Sequence, residues 1–166
     1  IDEVEFIART NPGQLELPLR KIASGGELSR IMLALKGILA AGDRTSVLVF
    51  DEIDANVGGR LGSVIGDKLR KLAIHHQVLC ITHLPQIASY ADNHLTVRKT
   101  VTDGKTQTSV RRIENDDRIA ELAEMIGGQR VTATTLAQAR EMLESASDNS
   151  TISMDEPRAP RSAGTI

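Results

Sequence analysis

The chain has 166 residues, 40% of them apolar and only 2% aromatic, with a net charge of −2. That length holds one domain with a real core, necessarily built of Leu, Ile, Val and Ala, and the near balance of charge gives no overall basic excess of the kind that advertises nucleic acid, although a local patch stays open. The single cysteine, Cys80, rules out an intrachain disulfide, and no apolar run approaches the ~20 residues that span a membrane.

No signal peptide opens the chain, so a cytoplasmic location and no membrane partner are expected. The first stretch, IDEVEFIART, has no initiator Met and suggests a piece of a longer protein. Alternation of Val4, Phe6 and Ala8 with Glu5 and Arg9 predicts a half-buried strand over Val4 to Thr10. Asn11-Pro12-Gly13 is a turn, and Leu15 to Ile22, with Pro18 inside it, is extended or irregular. Ser24-Gly25-Gly26-Glu27 then opens a helix whose Leu28, Ile31, Met32, Leu35 and Leu39 form one apolar stripe. Ser24 with Glu27 three residues on is a capping box. The two glycines also permit close backbone approach to a ligand at the positive end of the helix dipole, a site suited to phosphate; capping and anion binding can hold together.

Gly42-Asp43-Arg44 ends that helix. The apolar run Val47 to Phe50 predicts a strand buried on both faces, ending in the acids Asp51 and Glu52. Ligands of open α/β sheets bind at such carboxyl ends, although two acids can equally open a solvated loop. A loop over Asp54 to Gly59 leads to a helix from Arg60 to Ala73, with Leu61, Val64, Ile65, Leu69 and Leu72 on one face. Gln77 to Thr82 is the next buried strand, and it makes Cys80 a small core residue. Strand, helix, strand predicts a parallel crossover, and that pairing carries His83, after the second strand, into the crevice of Asp51 and Glu52. His75 and His76 fall at the opposite end and are expected to be solvated.

His83-Leu84-Pro85 leads into a short helix, Gln86 to Tyr90. Two runs, Leu95 to Lys99 and Gln107 to Ile113, flank Asp103-Gly104 and predict a hairpin. Its Arg98, Lys99, Arg111 and Arg112 are expected to form a solvated face rather than a nucleic-acid contact, since no aromatic is interleaved to stack on bases. Asp116 or Asp117 can cap a helix carrying Ile119, Leu122, Ala123 and Ile126 and ended by Gly127-Gly128. A last helix has Leu136, Arg140 and Leu143 along one side. Residues 146–166 are rich in Ser, Asp, Pro, Arg and Gly and are expected to be a disordered tail after a lobe spanning 1–145.

Together, Thr10-Asn11-Pro12-Gly13, Ala23-Ser24-Gly25-Gly26-Glu27-Leu28-Ser29-Arg30-Ile31, Phe50-Asp51-Glu52-Ile53-Asp54 and Val78-Leu79-Cys80-Ile81-Thr82-His83-Leu84-Pro85-Gln86 resemble the C-terminal half of the RecN family, bacterial DNA double-strand-break repair ATPases related to the SMC proteins. The resemblance covers roughly Val4 to Leu143. It implies an α/β fold, the C-terminal lobe of an ABC/SMC-type P-loop NTPase head, with a mostly parallel sheet flanked by helices plus a β-hairpin. It implies ATP and Mg²⁺ as cofactors. Ser24, Gly25, Gly26 and Glu27 would be the signature motif, acting on ATP bound to a second head. Asp51 would be the Walker B acid holding Mg²⁺ through water, Glu52 the acid that orients or deprotonates the attacking water, and His83 the switch histidine sensing the γ-phosphate. Partners would be the N-terminal lobe of the same head, a second head in an ATP-dependent dimer and, through the full protein, DNA; the location would be the bacterial cytoplasm, at the nucleoid.

Two departures qualify the resemblance. No G-x-x-x-x-G-K-[ST] loop occurs in these residues, since Gly66-Asp67-Lys68 lacks the preceding glycine, so this chain alone is expected to be inactive. Gly58 stands where ABC proteins in general carry an aspartate in a dimer-contact loop. The rival reading is a non-catalytic interaction module docking on a partner ATPase. A metal-dependent phosphatase or nuclease using Asp51, Glu52 and His83 explains less, because it leaves the SGGELSR helix without a role.

Overall fold

Local signals build most of the elements. The computed structural model describes residues 4–9, 13, 15–21, 24–40, 42–102, 104–128 and 130–152. Thr10, Asn11, Pro12, Ile22, Ala23 and Asp103, and residues 153–166 of the expected tail, lie outside the described residues. The elements in order are β1 (Ile7–Ala8), β2 (Leu17–Pro18), a 3₁₀ turn (Leu19–Lys21), α1 (Gly25–Leu39), β3 (Val47–Phe50), α2 (Gly59–Leu72), β4 (Gln77–Cys80), α3 (Pro85–Ala88), β5 (His94–Thr102), β6 (Lys105–Ile113), α4 (Asn115–Gly127) and α5 (Ala133–Ile152).

The result is an α/β lobe in which, among the described residues, the parallel part is a single pair. β3 and β4 run parallel, with Val47 opposite Gln77 and Phe50 opposite Cys80. The other two sheets are antiparallel pairs, β1 with β2 and β5 with β6. One face of β3–β4 packs with α1 and α2 around a core of Leu33, Phe50, Ile53, Ile65, Leu69, Leu72 and Ile87, joined by Leu48, Val78 and Cys80. The expectation that β3 is buried on both faces is corrected by its other side. Val49 is 62% exposed, and Val47, Leu79 and Ile81 lie open beside it. Alternate side chains point to opposite faces of a strand, so a pair covered on one side leaves every second residue in solvent.

The apolar stripe expected on α1 is likewise mostly uncovered. The helix buries the narrower edge of Gly26 and Leu33, while Leu28, Met32, Ile38 and Leu39 are exposed. On α2, Ile65, Leu69 and Leu72 are buried with Gly62 and Gly66, and Leu61 and Val64 stay outside. Lys36 and Asp43 pair across the end of α1, and this ammonium, then the Thr45 hydroxyl, hold the Asp43 carboxyl well below its usual range. The opening strand shortens to Ile7–Ala8, with Val4 and Phe6 exposed.

His76 is not solvated as expected. It is 5% exposed, its Nδ1 lies 2.6 Å from the Thr45 carbonyl oxygen, and its Nε2 is buried with no hydrogen-bond partner among the described residues. The turn before β4 folds inward against the start of β3, which sequence spacing does not reveal; His75 is exposed.

A second core joins α3, α4 and α5 through Ala88, Leu122, Ala123 and Ala139, with Ile119, Leu136 and Leu143 packed against it. The expected cap of α4 moves back by two or three residues. Glu114 stands at the N-cap without a side-chain bond to the N–H groups of the helix start, and Asp116 and Asp117 fall in the first turn. Arg140 is exposed, and the buried side of α5 runs through Leu136, Ala139, Leu143 and Ala146. The tail boundary is also corrected. α5 continues to Ile152, because Ala146 is 2% exposed and its carbonyl accepts a hydrogen bond from Arg70 Nη1 at 3.0 Å.

The hairpin forms as expected, with Gly104 at φ +72°, a left-handed conformation open to glycine. Its arginines pair with acids of α4 and of its N-cap. Arg98 bonds Glu124 at 2.8 and 3.0 Å and also pairs with Glu121. Arg111 pairs with Asp117 and Arg112 with Glu114, each at 2.9 Å. These guanidinium charges are engaged within the chain, in keeping with a solvated structural face.

Candidate functional site

The amino end of α1 and the carboxyl ends of β3 and β4 meet at one place. Ser24 is in extended backbone and its hydroxyl accepts the Glu27 N–H at 3.2 Å, which caps α1. The loop leaving β3 is tied to the same helix. Ser29 Oγ donates to the Asp51 carbonyl at 2.9 Å, and Arg30 Nη1 donates to the carbonyls of Ile53 and Ala55, both at 3.1 Å. A Cβ on Gly26 would lie 2.8 Å from the Glu52 carbonyl oxygen and 2.9 Å from Ala55 Cβ, so only glycine allows this approach. A Cβ on Gly25 would lie 2.8 Å from Glu52 Oε2. The Glu52 carboxylate therefore rests against the first turn of α1, where the helix dipole favours negative charge.

Asp51 and Glu52 are both exposed. Asp51 Oδ1 accepts the Glu52 N–H at 2.9 Å. Glu52 itself sits at φ +56°, a left-handed conformation uncommon for a residue with a long side chain.

His83 hydrogen-bonds to neither of these acids. Its partner is Asp54, a residue that sequence reasoning left in a loop. Asp54 is 3% exposed. Its Oδ2 accepts the Thr82 hydroxyl at 2.6 Å and the His83 N–H at 2.8 Å, and lies 3.0 Å from His83 Nδ1. Burial opposes ionisation of Asp54, but the bonds from Thr82 and from the His83 backbone outweigh it and hold the carboxyl below its usual range. The Thr82 hydroxyl in turn accepts the Leu84 N–H at 3.0 Å. Ile81 N–H donates to the Phe50 carbonyl at 2.9 Å, extending the pairing to the strand ends. Burial, followed by the charges of Asp54 and Asp51, pushes the Cys80 thiol up to about 12, consistent with a small core residue.

All the expected site residues thus lie at one end of the parallel pair. Gly25 and Gly26 touch Glu52 directly, and His83 joins through Asp54. Ser29, Arg30, Asp54 and Thr82 were missed as site residues. The only local signal for the first two was their place in SGGELSR, and the link between the last two spans 28 residues. Asp51 fits one contributed ligand of a cation held through water: an exposed carboxylate with one oxygen engaged by an N–H. Among the described residues no group of three or more His, Cys, Asp or Glu could hold a metal by itself. No helix among them is long and apolar enough to cross a membrane.

No family model matches the chain. It is 49% identical over 146 residues to DNA repair protein RecN of Mycobacterium leprae, covering 88% of this chain and 24% of that protein. It is 47% identical over 142 residues to the Vibrio cholerae protein of the same name, with 86% and 26% covered. With that of Bacillus subtilis it shares 45% over 146 residues, with 88% and 25% covered. A looser likeness, at TM-score 0.44 and 19% identity over 71% of this chain and 70% of the other, is to a solved structure from work on ATP-driven dimerization and DNA-stimulated activation of SMC ATPases. The chain spans about a quarter of the length of the curated relatives it matches. Sustained over most of the chain and running through both the glycine-rich helix start and the two strand ends, this similarity makes the chain a member of the RecN family, matching about a quarter of those proteins' length.

Proposed function

We propose that this chain is the C-terminal lobe of an ATPase head and contributes to an ATP site that an N-terminal lobe and a second head complete. The observation that carries the reading is the convergence of three features: the glycine-rich start of α1, the acids after β3 and the histidine after β4. In this reading Ser24, Gly25, Gly26 and Glu27 present backbone N–H groups and a hydroxyl to the γ-phosphate of ATP held by the second head. Asp51 holds Mg²⁺ through water, and the ion, when bound, neutralises charge on the transferring phosphoryl group. Glu52 orients or deprotonates the attacking water. His83 offers its ring to the phosphoryl oxygens. The lobe carrying the Walker A lysine comes from outside these residues, and hydrolysis switches the full protein's contacts with DNA during break repair, at the nucleoid in the bacterial cytoplasm.

The open apolar faces of β3–β4 and α1 support a lobe that is covered by another one. The test is ATP hydrolysis by this chain mixed with the matching N-terminal lobe. Turnover is expected only in the mixture, and Glu52→Gln is expected to lower it about 10²–10⁴-fold while nucleotide binding persists. Turnover by the isolated chain, abolished by Glu52→Gln, refutes the divided site. No turnover in a mixture that forms a stable complex favours the interaction module, which the same open faces would also serve.

A further inference from the structure

We infer that Asp54 is a positioning residue for His83, fixing which ring nitrogen faces the site; this rests on the proposed reading of His83 as a phosphoryl-facing group. The geometry leaves the imidazole little choice. Asp54 is 3% exposed, while the His83 side chain is 73% exposed. An ionised carboxylate only accepts hydrogen bonds, so Oδ2, 3.0 Å from Nδ1, favours the proton on that nitrogen. Nε2 is then the nitrogen left for the site, with a lone pair when the ring is neutral and an N–H when it is cationic.

The same oxygen also holds the His83 backbone N–H and the Thr82 hydroxyl. Backbone and ring of His83 are thereby anchored to one buried atom. That atom belongs to the turn that follows Glu52, and the turn is itself clamped to α1 through Arg30. Displacement of Glu52 is thus linked to the aim of His83 through two residues of backbone. A histidine held only by its own strand end would rotate freely about χ1 and χ2, since nothing else bonds its ring among the described residues.

The first readout needs no activity. In the 166-residue chain labelled with ¹⁵N-histidine, the neutral His83 ring is expected to be protonated at Nδ1 and bare at Nε2, with assignment by His83→Gln. Asp54→Asn is expected to shift the population toward Nε2–H, the tautomer favoured by a free side chain. A wild-type ring protonated at Nε2 overturns the proposal, whether or not the Asp54 variant folds.

The second readout uses the chain assembled with the matching N-terminal lobe. Asp54→Asn is expected to lower kcat about ten- to a hundred-fold, with the KM for ATP changed less than about threefold. It is expected to cost nothing further when His83→Gln is already present. Unchanged kcat in Asp54→Asn, alongside turnover that Glu52→Gln abolishes, overturns the positioning role and leaves the site reading intact. Turnover indifferent to Glu52→Gln refutes the site reading, while the ring spectrum still decides whether Asp54 sets the tautomer.

Discussion

At the scale of single residues, burial of one histidine ties stability to pH. His94 opens β5 with its Nδ1 buried and without a hydrogen-bond partner among the described residues. Burial, then the Arg118 charge, hold its imidazole below the usual 6.5, with Glu121 opposing. The unfolded chain therefore binds this proton more readily than the folded one, and stability rises with pH across the window just below 6.5. Urea midpoints are expected to fall as pH is lowered from 7.5 to 5.5. His94→Gln, which cannot take up the proton, is expected to remove part of that fall; an unaltered slope would place the effect elsewhere. Asp54 has the opposite chemistry but the same slope. Its depressed carboxyl stabilises the fold above about 3.8 and loses that contribution as pH drops through its folded value.

At the scale of elements, glycines decide how closely the helices approach. A Cβ on Gly66 of α2 would lie 2.5 Å from Tyr90 Cδ2 and 3.1 Å from the Gln86 carbonyl oxygen. Gly66→Ala is expected to destabilise by about 1–3 kcal/mol, because α2 and α3 must separate or the Tyr90 ring must turn. Gly37 lies within α1 with nothing within 4 Å of its would-be Cβ. There the same exchange is expected to stabilise by about 0.5–1 kcal/mol through the entropy of the unfolded chain. Denaturant midpoints of the two variants test both signs; equal shifts would mean that packing is not what sets them. The elements themselves were largely legible. The capped start of α1, the apolar runs of β3 and β4, and the Gly104 turn rest on neighbours a few residues apart. What pairs distant segments was not. Asp54 joins the candidate site where β4 ends beside it, His76 is buried where the Thr45 carbonyl lies opposite, and past Ser145 Arg70 reaches the backbone of α5.

At the scale of the whole molecule, the described residues cover one side of the parallel pair and leave the other open. The apolar periodicity of β3 and α1 anticipated partners on every face, and sequence patterning cannot say whether those partners belong to the same stretch of chain. Val49 and Leu79 are cross-strand neighbours in the open face. The isolated chain is expected to self-associate through it. Val49→Glu with Leu79→Lys, which leaves the covered core untouched, is expected to lower the apparent mass in sedimentation velocity at high concentration and to abolish assembly with the N-terminal lobe. Self-association equal to wild type would exclude this face as the contact.

Glu52 combines a chemically useful carboxylate with a backbone conformation that glycine would adopt without strain. A left-handed turn costs an ordinary L-residue about 1–2 kcal/mol. Position 52 is therefore pulled two ways. Pressure for a more stable lobe favours glycine, and, on the proposed role of Glu52, pressure for turnover keeps the acid. Libraries ranked by thermal resistance alone would drift toward losing the carboxylate proposed to serve hydrolysis, and they need a selection for activity to hold it in place.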